Sequence, residues 1–307
     1  MSSFRLGLLA ALAAATSWGA MFPVLKHLLE TLDPYWLTSL RYIGACVIFA
    51  VVLLIAEGPR AFILDRRAWL LWAIGTAGIT VFNFFVLTGL ERSSAQHGAL
   101  VVATGPALVT FILWARSGKA PTPMTFAMLA LAFAGVMLVV TKGNFASLAG
   151  GSAFGDALVA IGVAGFAIYT AYTPVFSDYS RLRFAALSVI LGTTSTLAAS
   201  IVAQAIGVAH VPSAPDMSVI LGMTYMIVIP AVLAFIFWSY AISTIGAQNT
   251  GLFMNAVPIV AFIIGIILGQ RFSAIEYIGA ALTITALVAN NLHGRIAVTA
   301  PATVKSP

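Results

Sequence analysis

Two stretches of the chain, AQHGALVVATGP at 95–106 and AQNTGLFMNAVP at 247–258, follow the same pattern 152 residues apart. Both begin with Ala-Gln, both have Leu at the sixth position, and both have Pro ten residues after the Gln. In an apolar helix, proline lacks a backbone N–H, and its ring clashes with the carbonyl oxygen four residues earlier. Each stretch therefore predicts a helix that can bend near its proline, as a hinge or as a static kink, and the repetition predicts two related halves in one chain.

The composition of the chain bounds the class of protein. Of its 307 residues, 61% are hydrophobic and only 8% are charged, with a mean hydropathy of +1.04, whereas soluble domains are about 25% charged. Most of the chain must therefore lie in lipid. The net charge of +6 does not indicate nucleic-acid binding, because the basic residues fall singly or in pairs between apolar runs. One cysteine, Cys46, excludes a disulfide framework within the chain and a cysteine metal cluster.

Apolar segments recur along the chain, most of them near the ~20 residues that a helix needs to cross ~30 Å of hydrocarbon. They lack the strict alternation of a membrane β-strand, and the short connections between them carry turn or cap signals, such as LDP at 32–34 and KAPTP at 119–123. The first resembles a signal peptide, with Arg5 before an Ala-rich stretch, but Trp18 lies where a small-residue cleavage site would be. We expect a retained helix there and ten spans in all, at 6–26, 34–56, 68–90, 94–115, 124–141, 155–176, 184–207, 218–242, 248–269 and 273–291.

The basic residues between the spans predict the orientation. With the N-terminus inside, ten lie on the cytoplasmic side and four on the outer side, as the positive-inside rule requires. The cytoplasmic set is Arg5, Arg60, Arg66, Arg67, Arg116, Lys119, Arg181, Arg183, Arg295 and Lys305, and the outer set is Lys26, Arg92, Lys142 and Arg271. Ten spans place both termini in the cytoplasm, and 293–307 is predicted to be a disordered cytoplasmic tail.

Each half of the chain holds five predicted spans, the first half within 1–145 and the second within 150–292. At an offset of 151, Trp18 of the first span falls on Tyr169 of the sixth, and Pro23 falls on Pro174. Because five is odd, the second half must enter the membrane from the opposite side. The sequence therefore predicts an all-α membrane protein of two inverted five-helix repeats around a central cavity. Chance similarity between Ala- and Leu-rich helices is the alternative.

The ten spans, the repeat, WGAMFP at 18–23 and the two Ala-Gln…Pro stretches resemble the drug/metabolite transporter superfamily, EamA family. The likeness covers about residues 5–292 and is greatest to YddG-type exporters of aromatic and other amino acids. It implies a basket of helices around a cavity lined by helices 1, 3, 4, 6, 8 and 9, with helices 5 and 10 peripheral. Smaller four-helix relatives carry a glutamate in their first helix for proton-coupled efflux, but the first span here has no acid.

Aromatic residues are the first candidates for a substrate site. Trp18 and Tyr169 lie near the middle of their spans, and Phe166 and Thr173 share the face of Tyr169 at i−3 and i+4. Their depth argues against an interfacial aromatic belt. A ring-lined cavity with few charges suits a largely apolar or aromatic solute. The alternative is that these rings face lipid.

Polar residues in the other lining helices extend the candidate substrate site. Asn83 has a buried amide that needs hydrogen bonds, from a substrate or from a neighbouring helix. His97 is a proton carrier, a pore-lining hydrogen bonder or an interfacial histidine satisfied by its neighbours. The remaining candidates are Val101, Thr104, Phe235, Ser239, Phe253 and Asn255.

Arg41 is the one basic residue inside a predicted span. It either snorkels to the headgroups or bonds backbone carbonyls, or it attracts a substrate carboxylate. Asp and Glu are missing from the middle of every span, so the sequence predicts no carboxylate relay for protons or sodium. Pro23, Pro106, Pro174 and Pro258 are candidate hinges for a rocking motion of the two halves.

We therefore expect a transporter of the bacterial inner membrane that exports small metabolites, above all amino acids including aromatic ones, by alternating access. The missing embedded acid favours a facilitator. A proton-coupled multidrug exporter of the same fold is the alternative and would need an anionic cavity. A membrane enzyme would need an embedded acid/base pair or metal cluster, and the sequence offers neither. We expect no cofactor, no metal and no nucleic acid; the partners are a small-molecule substrate and the lipid bilayer.

Overall fold

The computed structural model describes residues 3–93, 101–150, 153–210, 216–267, 269 and 271–299, and these residues form helices and no strand. A helix satisfies its backbone hydrogen bonds internally, which a spanning segment in lipid requires. The helices are α1 (Ser3–Leu28), α2 (Pro34–Glu57), α3 (Ala68–Arg92), α4 (Gly105–Ser117), α5 (Pro123–Thr141), α6 (Ala153–Tyr172), α7 (Arg181–Ala205), α8 (Met217–Ile245), α9 (Ala247–Ile267) and α10 (Ala274–Thr299).

Eight of the described helices, α1–α3 and α5–α9, are long and apolar enough to cross a membrane. The described part of α4 has 13 residues, and the start of its predicted span, 94–100 with His97, lies outside the described residues. The apolar stretch of α10, Ala274–Ala286, is also shorter. This helix continues into the predicted tail as far as Thr299, and 300–307 lie outside the described residues.

Polar caps set the starts of several helices, as the turn residues of the sequence predict. Asp33 is the N-cap of α2, and its carboxylate accepts hydrogen bonds from the backbone N–H groups of Tyr35 and Trp36, both at 2.9 Å. Thr122 caps α5 in the same way through the N–H of Thr125. Such caps satisfy N–H groups that the first helical turn leaves without partners.

Four helical segments are interrupted near the middle of the molecule. A turn at 103–104 precedes α4, close to Pro106, and the 3₁₀ turn Phe253–Asn255, close to Pro258, divides α9. The sequence analysis did not predict the π-helical turns Ala77–Val81 in α3 and Ile227–Leu233 in α8. Such turns widen the helix locally and are frequent at functional sites.

Contacts between the two halves of the chain form most of the packing. α1 packs against α8 and α9, whereas α6 packs against α3 and α4; α2 pairs with α7, and α5 pairs with α10. Small residues allow close approach where helices cross, because a Cβ at Gly135 would lie 2.6 Å from the Gly279 carbonyl oxygen. In lipid, such van der Waals packing replaces the hydrophobic effect as the source of helix association.

Candidate functional site

A cavity of about 940 Å³ lies among α1, α2, α3, α6, α8 and α9, with residues 102–103 before α4 also in its wall. Its mouth consists of residues 29–34, at the α1–α2 connection, and of Leu90 and Glu91 at the end of α3. Cavities of this size hold drug-sized ligands. The predicted site and hinge residues that line it are Trp18, Arg41, Asn83, Phe166, Phe235 and Pro258.

Aromatic rings close the inner end of the cavity. Trp18 meets Phe166 edge-on with ring centroids 5.4 Å apart, and it meets Phe235 at 6.0 Å. Behind them, Tyr169 lies 5.7 Å from Phe235, and Trp238 lies 5.0 Å from Trp18. These five residues, named here the ring layer, are all buried. Their burial argues against lipid-facing rings.

Hydrogen bonds fix the polar atoms of the ring layer. The Trp18 indole N–H donates to the carbonyl oxygen of Pro230 at 3.0 Å, within the π-helical turn of α8. The Trp238 indole N–H donates to Thr170 Oγ1 at 3.1 Å. The Tyr169 hydroxyl lies 3.2 Å from the Ser188 hydroxyl. Buried Trp and Tyr need such partners, and here the partners hold three rings in defined orientations.

Arg41 is buried in the cavity wall with only 4% of its surface exposed. Its Nη2 donates to Oδ1 of Asn83 at 2.5 Å, and its guanidinium carbon lies 4.7 Å from the centroid of the Tyr42 ring. Its Nε is buried, and the described residues offer it no hydrogen-bond partner. Asn83 therefore finds its partner on a neighbouring helix, one of the two alternatives that the sequence left open. Arg41 faces the cavity and keeps donor capacity for a ligand.

Other predicted site residues lie outside the cavity lining. Thr173 and Ser239 come one helical turn after Tyr169 and Phe235 and are buried on the far side of the ring layer. Pro23 lies within α1, and Pro174 lies in the 3₁₀ turn after α6.

At the interruptions before α4 and within α9, the cavity is lined by sequence neighbours of the predicted site residues and not by those residues themselves. Val102 and Ala103 line it rather than Val101 and Thr104, and Met254 lines it rather than Phe253 and Asn255. A broken helix shifts the angular phase, so 3.6-residue counting fails across the break.

Three aromatic residues of the site were missed by the sequence analysis: Phe82, Tyr42 and Trp238. Phe82 lines the cavity, and its ring centroid lies 5.2 Å from that of Phe166. Tyr42 lies beside Arg41 and also contacts Phe235, with ring centroids 6.2 Å apart. Trp238 follows Phe235 by three residues, so helical spacing could have placed both on one face. Tyr42 offers no such signal, because adjacent residues of a helix usually point in different directions.

At the opposite end from the mouth, Arg67 joins the loop before α3 to the loop before α7. It binds Asp65 and Asp178, with its Nη2 at 2.5 Å from each carboxylate, and Nη1 donates to the Val175 carbonyl oxygen at 3.0 Å. Its guanidinium also lies 4.9 Å from the Phe176 ring centroid. One side chain therefore links residues that are more than 100 positions apart in the chain.

Three further arginines at this end combine a hydrogen bond with an aromatic contact. Each guanidinium lies within 3.9–4.7 Å of a tyrosine ring centroid and donates to a carbonyl or hydroxyl oxygen of another segment. Together with Arg67, they are named here the arginine layer: Arg67, Arg116, Arg181 and Arg183.

The carboxylates that bind Arg67 stay charged over a wide pH range. Hydrogen bonds from Arg67 lower the pKa of Asp65 from its usual 3.8 to about 2, and they also lower the pKa of Asp178. Burial raises the pKa of the nearby Tyr179 hydroxyl. The ion pairs of the arginine layer therefore persist at neutral and mildly acidic pH.

Comparison with known proteins places the chain in a family. The family model described as EamA-like transporter family matches residues 5–141 and 153–292. The chain belongs to this family. Since the family is one of transporters and the chain has eight candidate spans, this EamA-like protein is a multi-pass membrane transporter.

Curated relatives agree with this assignment. The EamA-like chain is 32% identical to the "Uncharacterized transporter YrdR" of Bacillus subtilis, over 94% of this chain and 92% of that protein. It is 23% identical to a "Probable terminal-alkyne amino-acid exporter" of Streptantibioticus cattleyicolor, over 90% of each chain. A solved crystal structure matches with a TM-score of 0.79 at 18% identity, over 95% of this chain and 98% of that one. The last likeness shows a shared fold.

Proposed function

We propose that this protein exports small metabolites across the bacterial inner membrane by alternating access, with amino acids, including aromatic ones, as substrates. The observation that carries the proposal is the cavity, which has aromatic rings at its inner end and a buried arginine in its wall. Rings bind an apolar or aromatic side chain by stacking and area burial. Arg41 binds a carboxylate, the group that all amino acids share. The amino-acid exporter among the relatives supports this substrate class.

Alternating access requires two states of one site, and two inverted repeats, 1–145 and 150–292, would supply them. The family model supports this division, because its two matched ranges, 5–141 and 153–292, each contain five predicted spans. The packing supports it as well. If the two repeats are equivalent, helix 1 corresponds to helix 6, helix 3 to helix 8 and helix 4 to helix 9. The α1–α8 contact then corresponds to the α6–α3 contact, and the α1–α9 contact to the α6–α4 contact. All four contacts are present.

Equivalent residues support the repeat at atomic detail. Trp18 binds the Pro230 carbonyl oxygen in the π-helical turn of α8. Its sequence equivalent, Tyr169, packs on Gly78 in the π-helical turn of α3, where an added Cβ would lie 2.6 Å from the tyrosine Cβ. Gly78 and Pro230 are themselves 152 residues apart. In each half, the central aromatic residue therefore packs against the widened turn of the other half.

The direction of opening follows from the predicted orientation. The mouth residues 29–34 lie at the end that the positive-inside rule assigns to the outside, and the arginine layer lies at the cytoplasmic end. The described state is therefore open to the outside, with both chain termini in the cytoplasm. Return to the inward-open state would bend the helices at Pro23, Pro106, Pro174 and Pro258, where the backbone hydrogen-bond ladder is weakened.

Transport as a facilitator is the mechanism that the charges favour. The acidic residues among the described cavity lining are Glu30, Asp33 and Glu91, and all three lie at the mouth. A proton relay would need an acid near the ring layer. We propose no enzymatic step, cofactor or metal for this site.

The test is transport by the purified full chain in liposomes, with a labelled panel of amino acids, drugs and nucleosides. We expect aromatic amino acids to move without an imposed proton gradient. Flux that requires such a gradient would exclude the facilitator, and flux of cationic drugs alone would favour the multidrug alternative.

The matched variants are Trp18→Ala in the cavity and Trp69→Ala, whose side chain is 69% exposed. The first should lower flux at least tenfold, and the second should leave flux unchanged. Equal flux in both variants would contradict the role of the ring layer. Flux is compared at equal amounts of folded protein, because truncation of a buried aromatic residue such as Trp18 costs about 3–5 kcal/mol of stability.

A further inference from the structure

We infer that the recognised and transported species is an organic monoanion: Arg41, positioned by Asn83, binds a carboxylate, and the site needs no α-ammonium on the same molecule. This inference rests on the proposed transport function and narrows its substrate class. It predicts that a carboxylic acid without an amino group is as good a substrate as the corresponding amino acid, or a better one.

Unused donors of Arg41 make the anion site. A guanidinium has five N–H donors in a planar fork that matches both oxygens of a carboxylate. One Nη2–H is used by Asn83, and the described residues give the Nη groups no other hydrogen-bond partner and the guanidinium no carboxylate, while the residue lines the cavity. A buried charge without a counter-ion carries a large desolvation cost. A ligand carboxylate bound to the Nη groups would offset that cost and neutralise the charge.

Asn83 holds the guanidinium without neutralising it. Its amide nitrogen donates to the Ile79 carbonyl oxygen at 2.7 Å, inside the π-helical turn of α3, and lies 3.4 Å from the Tyr42 hydroxyl. The amide oxygen is therefore the atom directed at Arg41. An aspartate has the same shape but would pair with the arginine and occupy the anion site. The neutral amide leaves the positive charge for a ligand.

The acids of the cavity are too far from Arg41 to bind the ammonium of the same ligand. Asp33 precedes Arg41 by eight residues, a rise of about 12 Å along a helix, and its carboxylate already accepts three backbone N–H groups. The side chains of Glu30 and Glu91 are 66% and 57% exposed at the mouth. In an amino acid, the nitrogen lies only about 2.5 Å from the carboxyl carbon. At the depth of Arg41, the described residues therefore offer an ammonium no carboxylate.

A monoanionic substrate would also give the facilitator a direction. A membrane potential of 100 mV, negative inside, shifts the equilibrium of one elementary charge by about 50-fold. An anion is therefore driven outward without proton coupling. A zwitterion gains nothing from the potential.

The experiment compares three molecules that share one aromatic body: 3-phenylpropionate, phenylalanine and 2-phenylethylamine. Binding to the purified full chain is measured by calorimetry, and flux is measured in liposomes with a potassium diffusion potential. We expect 3-phenylpropionate to bind at least as tightly as phenylalanine and at least tenfold more tightly than the amine. A positive internal potential should accelerate uptake of 3-phenylpropionate and leave phenylalanine uptake unchanged.

The decisive variants are Arg41→Gln and Asn83→Asp, with Lys119→Gln in an exposed loop as the control. Both cavity variants should lower 3-phenylpropionate binding at least tenfold, whereas the control should bind normally. Asn83→Asp preserves side-chain shape, so it tests the charge even where Arg41→Gln fails to fold. Normal 3-phenylpropionate binding in folded Asn83→Asp would overturn the inference.

The outcomes separate this inference from the proposed function. Flux of phenylalanine without 3-phenylpropionate would overturn the inference and leave amino-acid transport standing. Flux of 3-phenylpropionate without phenylalanine would support the inference and remove amino acids as substrates. Flux of the amine alone, or of none of the three, would contradict both.

Discussion

The two ends of the cavity differ in how they are held. At the mouth, residues 29–34 and Glu91 surround an opening, and besides the Asp33 cap the described contacts there include single hydrogen bonds between the halves, from the His210 N–H to Asp33 and between His27 and Ser218. At the opposite end, the ring layer and then the arginine layer join segments from both halves of the chain. Under the proposed alternating access, the contacts at this opposite end are those that must break when the site opens to the other side.

The contacts of the closed end are suited to repeated breaking. Exposed ion pairs contribute about 0–1 kcal/mol each, and exposed cation–π contacts about 0.5–1 kcal/mol. Arg67 is one-third exposed, and its partners Asp65 and Asp178 are more exposed still. Several weak contacts can close one end firmly and still yield to a few kcal/mol of substrate binding energy.

A covalent link across the closed end should have the largest effect. Asp65 and Asp178 bind the same guanidinium, so cysteines at both positions would lie within reach of a short bifunctional thiol reagent. In a Cys46→Ala background, we expect the cross-linked Asp65→Cys/Asp178→Cys protein to lose all transport, and cleavage of the linker to restore it. The single-cysteine proteins treated alike are the control. Normal transport by the linked protein would contradict a gate at this end.

Removal of Arg67 should loosen the closed end without a covalent change. A cysteine at Thr173, buried beyond the ring layer, reports access from this side. We expect Arg67→Ala to raise its labelling by a membrane-impermeant maleimide about tenfold. Arg60→Ala, an exposed arginine of the same linker, should not change labelling. Equal labelling in the two variants would show that Arg67 does not hold the closed end.

Loss of the cap at the mouth should affect stability rather than access. Asp33→Ala removes the N-cap of α2 and the bond to the His210 backbone N–H. We expect it to lower the free energy of unfolding by about 1 kcal/mol, measured by thermal denaturation in detergent. Glu30→Ala, with its side chain exposed at the same mouth, is the control. A rise in labelling at the closed end in Asp33→Ala would mean that the two ends are coupled.

The smallest expected effect is that of pH on the closed end. The folded pKa of Asp65, about 2, is below its usual 3.8, so its stabilising contribution is full above about pH 4 and is lost as pH falls toward 2. The melting-temperature difference between the parent and Asp65→Asn, a few degrees at most, should stay constant from pH 7 to pH 5. A difference that shrinks in that range would contradict the charged pair with Arg67.

Local signals in the sequence predicted much of the fold. Hydropathy indicated the eight described helices that are long enough to span, Asp33 and Thr122 marked helix starts, and Pro106 and Pro258, expected to allow bending, lie beside two interruptions. Each of these signals depends on a few neighbouring residues, such as a side chain that caps its own helix or a ring that blocks its own backbone. The π-helical turn Ala77–Val81 had no comparable signal, because it contains no proline, whereas Ile227–Leu233 contains Pro230.

The candidate site was predicted less completely. Trp18, Asn83, Phe166 and Phe235 were found from the repeat and from helical spacing, and they do line the cavity. The contact between Arg41 and Asn83 was not predicted, since 42 positions separate the two residues.

By itself, the sequence determined that the chain spans a membrane as helices and that one arginine lies within the apolar part, and it predicted that the second half repeats the first. Tertiary structure alone decided which faces meet: that Arg41 points at Asn83, that Trp238 completes the ring layer, and that Arg67 joins two distant loops. The physical reason is that a helix in lipid is apolar all round. Hydropathy then carries no record of which side packs inward, and the choice depends on steric fit and on specific hydrogen bonds between helices.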